Sequence, residues 1–167
     1  MSLSPRKIEL LSPAKDYETG VAAINHGADA VYIGAVQFGA RQAAGNSVED
    51  IARLVDYAHI FGVKVYVTLN TIIYDDEVTA VEQLVKELYD AGVDALIVQD
   101  MGIAGMNIPP IPLHASTQMT CNSLADVKYW ESQGFNKIVL SRELSTEEIK
   151  YIKAAQAIAQ AAYDNAV

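Results

Sequence analysis

Cysteine is almost absent: Cys121 is the single copy in 167 residues. That excludes a disulfide framework and any all-cysteine metal or iron–sulfur site built from this segment alone. A lone thiol fits a reducing compartment, so the expected location is the cytoplasm. Histidine is scarce too, with three scattered copies and no His-x-x-x-His spacing, which leaves no zinc motif. Positive charge is outnumbered, 12 Lys and Arg against 21 Asp and Glu, for a net charge of −9. Such a surface repels phosphate backbones, and nucleic-acid binding by this segment alone is not expected. No apolar run approaches the roughly 20 residues of a membrane span, and the N-terminus carries no apolar signal core. Residues 1–7 are read as a disordered or tag-derived N-terminus and set aside.

What the sequence does have is a repeated junction. It reads His26-Gly27-Ala28-Asp29-Ala30-Val31-Tyr32-Ile33-Gly34, then Phe61-Gly62-Val63-Lys64-Val65-Tyr66-Val67-Thr68-Leu69. It returns as Ala91-Gly92-Val93-Asp94-Ala95-Leu96-Ile97-Val98-Gln99 and as Gln133-Gly134-Phe135-Asn136-Lys137-Ile138-Val139-Leu140-Ser141. In each copy a glycine stands where a helix ends in the left-handed conformation. A run of β-branched and aromatic residues follows, long and apolar enough for a parallel strand buried on both faces.

The segments ahead of the glycines carry helical spacing: Asp16–Asn25, Val48–Ile60, Glu77–Asp90 and Leu124–Ser132. Ser145 with Glu148 reads as a capping box that opens a last helix. With Ile8–Leu11 and Pro112–Ser116 added, six strands are predicted near 8–12, 30–34, 63–69, 95–99, 112–116 and 137–141. Strict strand–helix alternation means α/β architecture with a parallel sheet. No Gly-x-Gly-x-x-Gly follows strand 1 and no Walker lysine is present, so the open nucleotide-binding sheet lacks its signature. Polar residues recur at nearly every strand end instead. The predicted fold is therefore a TIM-barrel-like (β/α) parallel barrel of about six β–α units, incomplete against the roughly 200–250 residues of a full barrel. The barrel domain spans 8–152, and 153–167 is an Ala-rich C-terminal helix or tail. Six of eight units would leave two open sheet edges, so oligomerisation or further chain is expected.

In such barrels the chemistry lies where strands end and the following loops begin. Those ends supply Arg41, Asn70, Gln99, Asp100, His114, Ser116, Gln118, Arg142 and Glu143. His114, Ser116 and Gln118 are spaced by two and would share one side of an extended strand. Arg41 and Arg142 are the cations best placed for a small anionic ligand in the barrel mouth, since a guanidinium fork matches a carboxylate. Arg142 has a structural alternative, an ion pair with Glu143 or Asp100. A Ser116–His114 hydrolytic pair is poorly supported: residues two apart on a strand are ~6–7 Å apart along it, and no Gly-x-Ser-x-Gly elbow is present. His26 and His59 read as surface residues on helices. Cys121 reads as a small packing residue, since a nucleophile would need a base such as His114 nearby.

These strand ends also resemble a known family. Glu9-Leu10-Leu11-Ser12-Pro13-Ala14, the Gly27–Gly34 junction, Phe38-Gly39-Ala40-Arg41 with Asn46, Asn70, Val98-Gln99-Asp100, His114-Ala115-Ser116-Thr117-Gln118 with Asn122, and Ser141-Arg142-Glu143-Leu144-Ser145 are similar to the N-terminal part of the peptidase U32 family. The resemblance runs from about Ile8 to Ile152. It implies a collagenase-like protease by family label. It also implies a second activity, because other members resemble oxygen-independent hydroxylases of ribosomal RNA, transfer RNA or a quinone precursor. The RNA hydroxylases use prephenate and a 4Fe–4S cluster held by four cysteines, and this chain lacks the family's cysteine-bearing signature after Ile152. The strand-end placement, taken with the resemblance, leads us to expect catalytic roles for His114, Arg142 and Asp100, and substrate contacts for Arg41, Asn70, Gln99, Ser116, Gln118 and Glu143. The resemblance implies RNA contact only through a C-terminal part, and no metal within this segment. The alternatives are a non-catalytic binding domain or partner subunit, and an inactive fragment.

Overall fold

At each of four helix-to-strand junctions the backbone turns on a glycine with positive φ: Gly27 (93°), Gly62 (67°), Gly92 (81°) and Gly134 (89°). A side chain is strained in that conformation, which is why the repeat keeps glycine there. The computed structural model describes residues 8–36, 38 and 45–164, with 156–164 as backbone only. Arg41 and residues 1–7 lie outside the described residues.

Six strands form one sheet: β1 (Leu11–Ala14), β2 (Ala30–Gly34), β3 (Lys64–Leu69), β4 (Ala95–Val98), β5 (Leu113–Ala115) and β6 (Lys137–Ile138). Their order in the sheet is the order in the chain, and every pairing is parallel. The helices are α1 (Tyr17–Asn25), α2 (Val48–Ile60), α3 (Val78–Asp90), α4 (Leu124–Ser132) and α5 (Thr146–Asp164). The last helix runs through the predicted boundary at 152 without a break. The strands are shorter than the sequence reading, most of all β6, where only Lys137 and Ile138 pair regularly. Parallel bridges Ala35↔Asn46 and Cys121↔Leu140 extend β2 and β6 by single residues.

Polar caps hold the helices in place. Asp16 accepts from the Thr19 amide at 3.0 Å, Ser47 caps α2, and Ser123 forms a reciprocal box with Asp126 at the start of α4. Ser145 and Glu148 form the expected box before α5, with Glu148 accepting from the Ser145 amide at 2.8 Å. Asn46, buried at the base of the loop after β2, donates its side-chain amide to the Lys15 and Gly34 carbonyls at 3.0 and 2.9 Å. The loop after β1 and the end of β2 are thereby tied together.

Two apolar layers flank the sheet. The larger joins the outward strand residues Val31, Ile33, Val65, Val67, Leu96, Val98 and Ala115 to the helices. Ile51, Leu54, Val55, Val81, Val85 and Leu88 fill that layer from α2 and α3. Gly20 lets α1 approach α2 closely, since a Cβ there would lie 2.7 Å from a Leu54 methyl. The smaller layer, Ala30, Tyr66, Ala95 and Ile97 with Leu11 and Tyr32, lies on the opposite, concave face. That face is the lumen of a barrel built to six strands.

Candidate active-site face of the barrel

In an eight-stranded barrel with a shear of 8, one level of the lumen takes side chains from alternate strands, about two residues further along each time. The strand register sets the levels here. Tyr66 pairs with Ala95, and Ile97 with His114. Tyr66 and His114 therefore share a level, and their rings do meet edge-to-face at 4.7 Å. The next level up holds Tyr32 and Ile97. Continuing the alternation just past the paired residues puts Pro13, Thr68 and Ser116 above it, and Gly34, Gln99 and Ser141 above those.

The strand-end residues expected from the sequence separate into three groups. Asn70, Gln99 and Asp100 stand together, half-buried, where β3 and β4 end. Asp100, however, is engaged by the backbone. One oxygen accepts from the Gly102 amide at 2.8 Å and the other from the Ile73 amide at 3.0 Å. It caps the 3-10 turn Met101–Gly105 and ties that loop to the one after β3, in place of a pair with Arg142. Ser116 is buried and begins a second 3-10 turn, Thr117–Met119, its hydroxyl accepting from the Gln118 amide at 3.3 Å.

Gln118 corrects the expectation that three residues share one strand side. β5 ends at Ala115, so the alternation stops before Gln118, which stands exposed on the turn. The cause is local: Ser116 prefers to cap a turn, and Thr120 then adopts a left-handed backbone (φ 53°) that ends extension. Arg142 and Glu143 are exposed on the turn after β6.

His114 lies deeper than the other strand-end residues. It is only 6% exposed, and it belongs to a polar group at the N-terminal half of the lumen that sequence reasoning missed. Tyr66 donates its phenol to Glu9 at 3.0 Å, and Lys137 donates to Glu9 at 2.5 Å and lies over the Tyr66 ring at 5.0 Å. Burial, helped by the Lys137 charge, pulls the His114 pKa down to about 4, so the ring is neutral near pH 7. Burial pushes Glu9 upward, but the hydrogen bonds from Lys137 and Tyr66 outweigh it and hold its carboxyl below its ordinary value. Burial and the neighbouring Glu9 carboxylate push the Tyr66 phenol well up. Nothing in the spacing of Glu9, Tyr66 and Lys137 announces this group. The only signal is that an alternating charged residue opens β6 on the lumen side.

The arrangement does not make a hydrolytic centre among the described residues. The imidazole of His114 packs on Tyr66, and the Ser116 hydroxyl serves its own turn. Cys121 is buried against the core, and burial followed by the Asp126 charge pushes its thiol up, away from the reactive thiolate. Among the described residues no group of three His, Cys, Asp or Glu is placed to hold a metal, and no helix is long and apolar enough to cross a membrane. A cleft of about 250 Å³ between Val127, Ile138, Leu140 and Ile152 lies on the helix side of β6, away from the lumen.

A sequence model of peptidase family U32 matches residues 15–163. The chain is 53% identical over 155 residues to the 23S rRNA 5-hydroxycytidine C2501 synthase of Escherichia coli (strain K12), covering 93% of this chain and 24% of that protein. It is 37% identical over 152 residues to the tRNA hydroxylation protein P1 of Bacillus subtilis (strain 168), covering 89% and 36%. An uncharacterized protease of Methanocaldococcus jannaschii is 36% identical over 148 residues, covering 87% and 36%. The chain thus spans between about a quarter and a little over a third of the length of these relatives. Among solved structures, the U32 peptidase Mk0906 superposes with a TM-score of 0.74 at 14% identity, covering 92% of this chain and 67% of that one. An archaeal fructose 1,6-bisphosphate aldolase gives 0.52 at 16%, covering 80% and 58%. At such identities these likenesses establish the barrel-type α/β fold and no more.

Proposed function

The chain belongs to peptidase family U32, and on that premise we propose that it is the barrel portion of an enzyme that hydroxylates a base in RNA. One observation carries this reading: 53% identity to a 23S rRNA 5-hydroxycytidine synthase across nearly the whole chain. The site agrees with it in what it offers. Peptide hydrolysis needs a nucleophile, a base and an oxyanion pocket in contact. Here Ser116, His114 and Asp100 each serve a local structural partner. The barrel mouth instead presents neutral hydrogen-bonding groups, Asn70, Gln99 and Ser116, with Arg142 outside them for an anionic group such as a carboxylate or an RNA phosphate.

Prephenate and a 4Fe–4S cluster belong to this reading of the longer protein. The residues of this chain do not fit a cluster, since its single cysteine is buried with a raised thiol pKa. No step is assigned to a cluster here. Most of the RNA affinity likewise falls to surfaces beyond this acidic segment, and a protein acting on RNA of the ribosome works in the cytoplasm.

The test is made on the full-length protein purified without oxygen. Iron and acid-labile sulfide are assayed together with cleavage of a mixed peptide library. The reading expects iron and sulfide without cleavage. Cleavage by an iron-free protein, abolished by Ser116→Ala, would replace it with the protease reading.

A further inference from the structure

The two uppermost levels of the lumen are unlike those below. A barrel interior is ordinarily filled by bulky branched side chains. The level directly below carries the bulky Tyr32 and Ile97, and the one beneath it Leu11, Tyr66 and the buried His114. The upper levels hold Pro13, Thr68 and Ser116, then Gly34, Gln99 and Ser141, all small except Gln99. Among the described residues neither level contains an ionisable side chain. The charges of the mouth stand outside them: Asp100 is spent on two backbone amides, and Arg142 and Glu143 are exposed beyond the strand end.

Ser141 adds an independent observation. The residue is only 6% exposed, and its hydroxyl is buried with no hydrogen-bond partner among the described residues. A buried hydroxyl left without a partner is costly, and such orphans in native structures call for an explanation. Continued past Ile138, where the Val139 amide still donates to the Ala115 carbonyl, the alternation of β6 brings Ser141 to the level of Gly34 and Gln99.

We propose that these two levels form a neutral recognition cup for a single nucleobase, with Gln99 and Ser141 supplying hydrogen bonds, Thr68 and Ser116 lining the wall, and Tyr32 and Ile97 forming the floor. The proposal rests on the RNA reading above and gives that reading a binding site. An enzyme that works on a base must take it out of the stack and hold it by its edge and its face. The cup has both elements. Gln99 carries one carbonyl acceptor and one amide donor, which complement the donor and acceptor on the edge of cytosine. The apolar level beneath offers a flat ring its contact surface. Gly34 leaves the opening: a Cβ there would touch only the Thr68 hydroxyl, at an ordinary 3.5 Å.

The experiment uses the full-length protein and two short single-stranded RNAs, identical except that one carries a cytidine where the other is abasic. Affinities are read by fluorescence anisotropy at one fixed salt concentration. Because a base stacked and bonded in a site adds at least about fivefold in affinity, the wild type should bind the cytidine RNA at least that much tighter. Gly34→Val fills the opening and should bring the ratio to about one, as should Gln99→Leu with Ser141→Ala. Should Gly34→Val fail to melt cooperatively, the Gln99 and Ser141 double variant decides alone. Arg142→Ala should weaken both RNAs by the same factor and leave the ratio unchanged. Equal binding of the two RNAs by the wild type, or a ratio that survives both cup variants, overturns the cup while leaving the RNA reading in place. No binding of either RNA overturns both.

Discussion

Replacing Asp100 by alanine removes two hydrogen bonds at once and separates two views of this residue. Its oxygens accept from Gly102 and Ile73, at 2.8 and 3.0 Å, across two consecutive loops. Hydrogen bonds to a charged group contribute about 1.5–3 kcal/mol each when buried. The Gly102 bond is exposed and belongs at or below the low end, while the Ile73 bond is half-buried. The sum is about 2–4 kcal/mol. For a domain of this size each kcal/mol shifts the melting temperature by about 2–4 °C, so Asp100→Ala should melt at least about 4 °C lower. Asn in this position keeps one good acceptor and should lose about half as much. The assay is thermal unfolding followed by circular dichroism, with calorimetry as a check on two-state behaviour. A general acid or base with no structural duty would give the opposite pattern: unchanged stability in both variants and lost activity in Asp100→Asn. A melting point within about 1 °C of wild type for Asp100→Ala would refute the assignment.

Three further outcomes follow from the same geometry. His114 has a folded pKa of about 4 against the ordinary 6.5 of a free imidazole, so the unfolded chain binds its proton first. Stability should therefore fall as pH drops from about 6.5 toward 4, by about 2 kcal/mol after solvent screening, and His114→Phe should flatten that limb in urea titrations. Below that window Glu9 adds a second loss, because its lowered carboxyl contributes stability only while it is ionised. Asn46→Asp replaces a donor to the Lys15 and Gly34 carbonyls with a buried negative acceptor, and should cost about 3 kcal/mol or more by denaturant unfolding, whereas a neutral effect would remove Asn46 as the tie between those loops. Cys121 should resist aromatic disulfide reagents until the protein unfolds, so rapid labelling of the native protein would show that its burial is wrong.

The frame was legible in the sequence because its physics is local. A glycine that must take positive φ, followed by a β-branched run, marks a helix end and a strand start without knowledge of the rest, and all four marked junctions are observed. Helices α2 and α4 have the expected ends for the same reason, with Ser47 and Ser123 as their caps. The site was less legible because its geometry is non-local. Ser116 and Gln118 read as strand residues until the serine's preference for capping a turn wins. Asp100 looked chemical because it is a carboxylate at a strand end, yet its partners come from another loop and from two residues ahead. The Glu9–Tyr66–Lys137 group joins residues far apart in the chain, 57 and 71 positions between successive members. Ser141 is legible as a strand end, but only burial reveals its lack of a partner among the described residues.

The central claim, that this barrel belongs to an RNA hydroxylase, is tested most directly on RNA from cells. The full-length gene is deleted and then restored. Ribosomal and transfer RNA from both strains are digested to nucleosides, and hydroxylated pyrimidines are quantified by mass spectrometry. A pyrimidine nucleoside heavier by one oxygen atom should disappear on deletion and return on complementation. An unchanged nucleoside profile in the deletion strain would contradict the claim and leave the chain with its family's protease label.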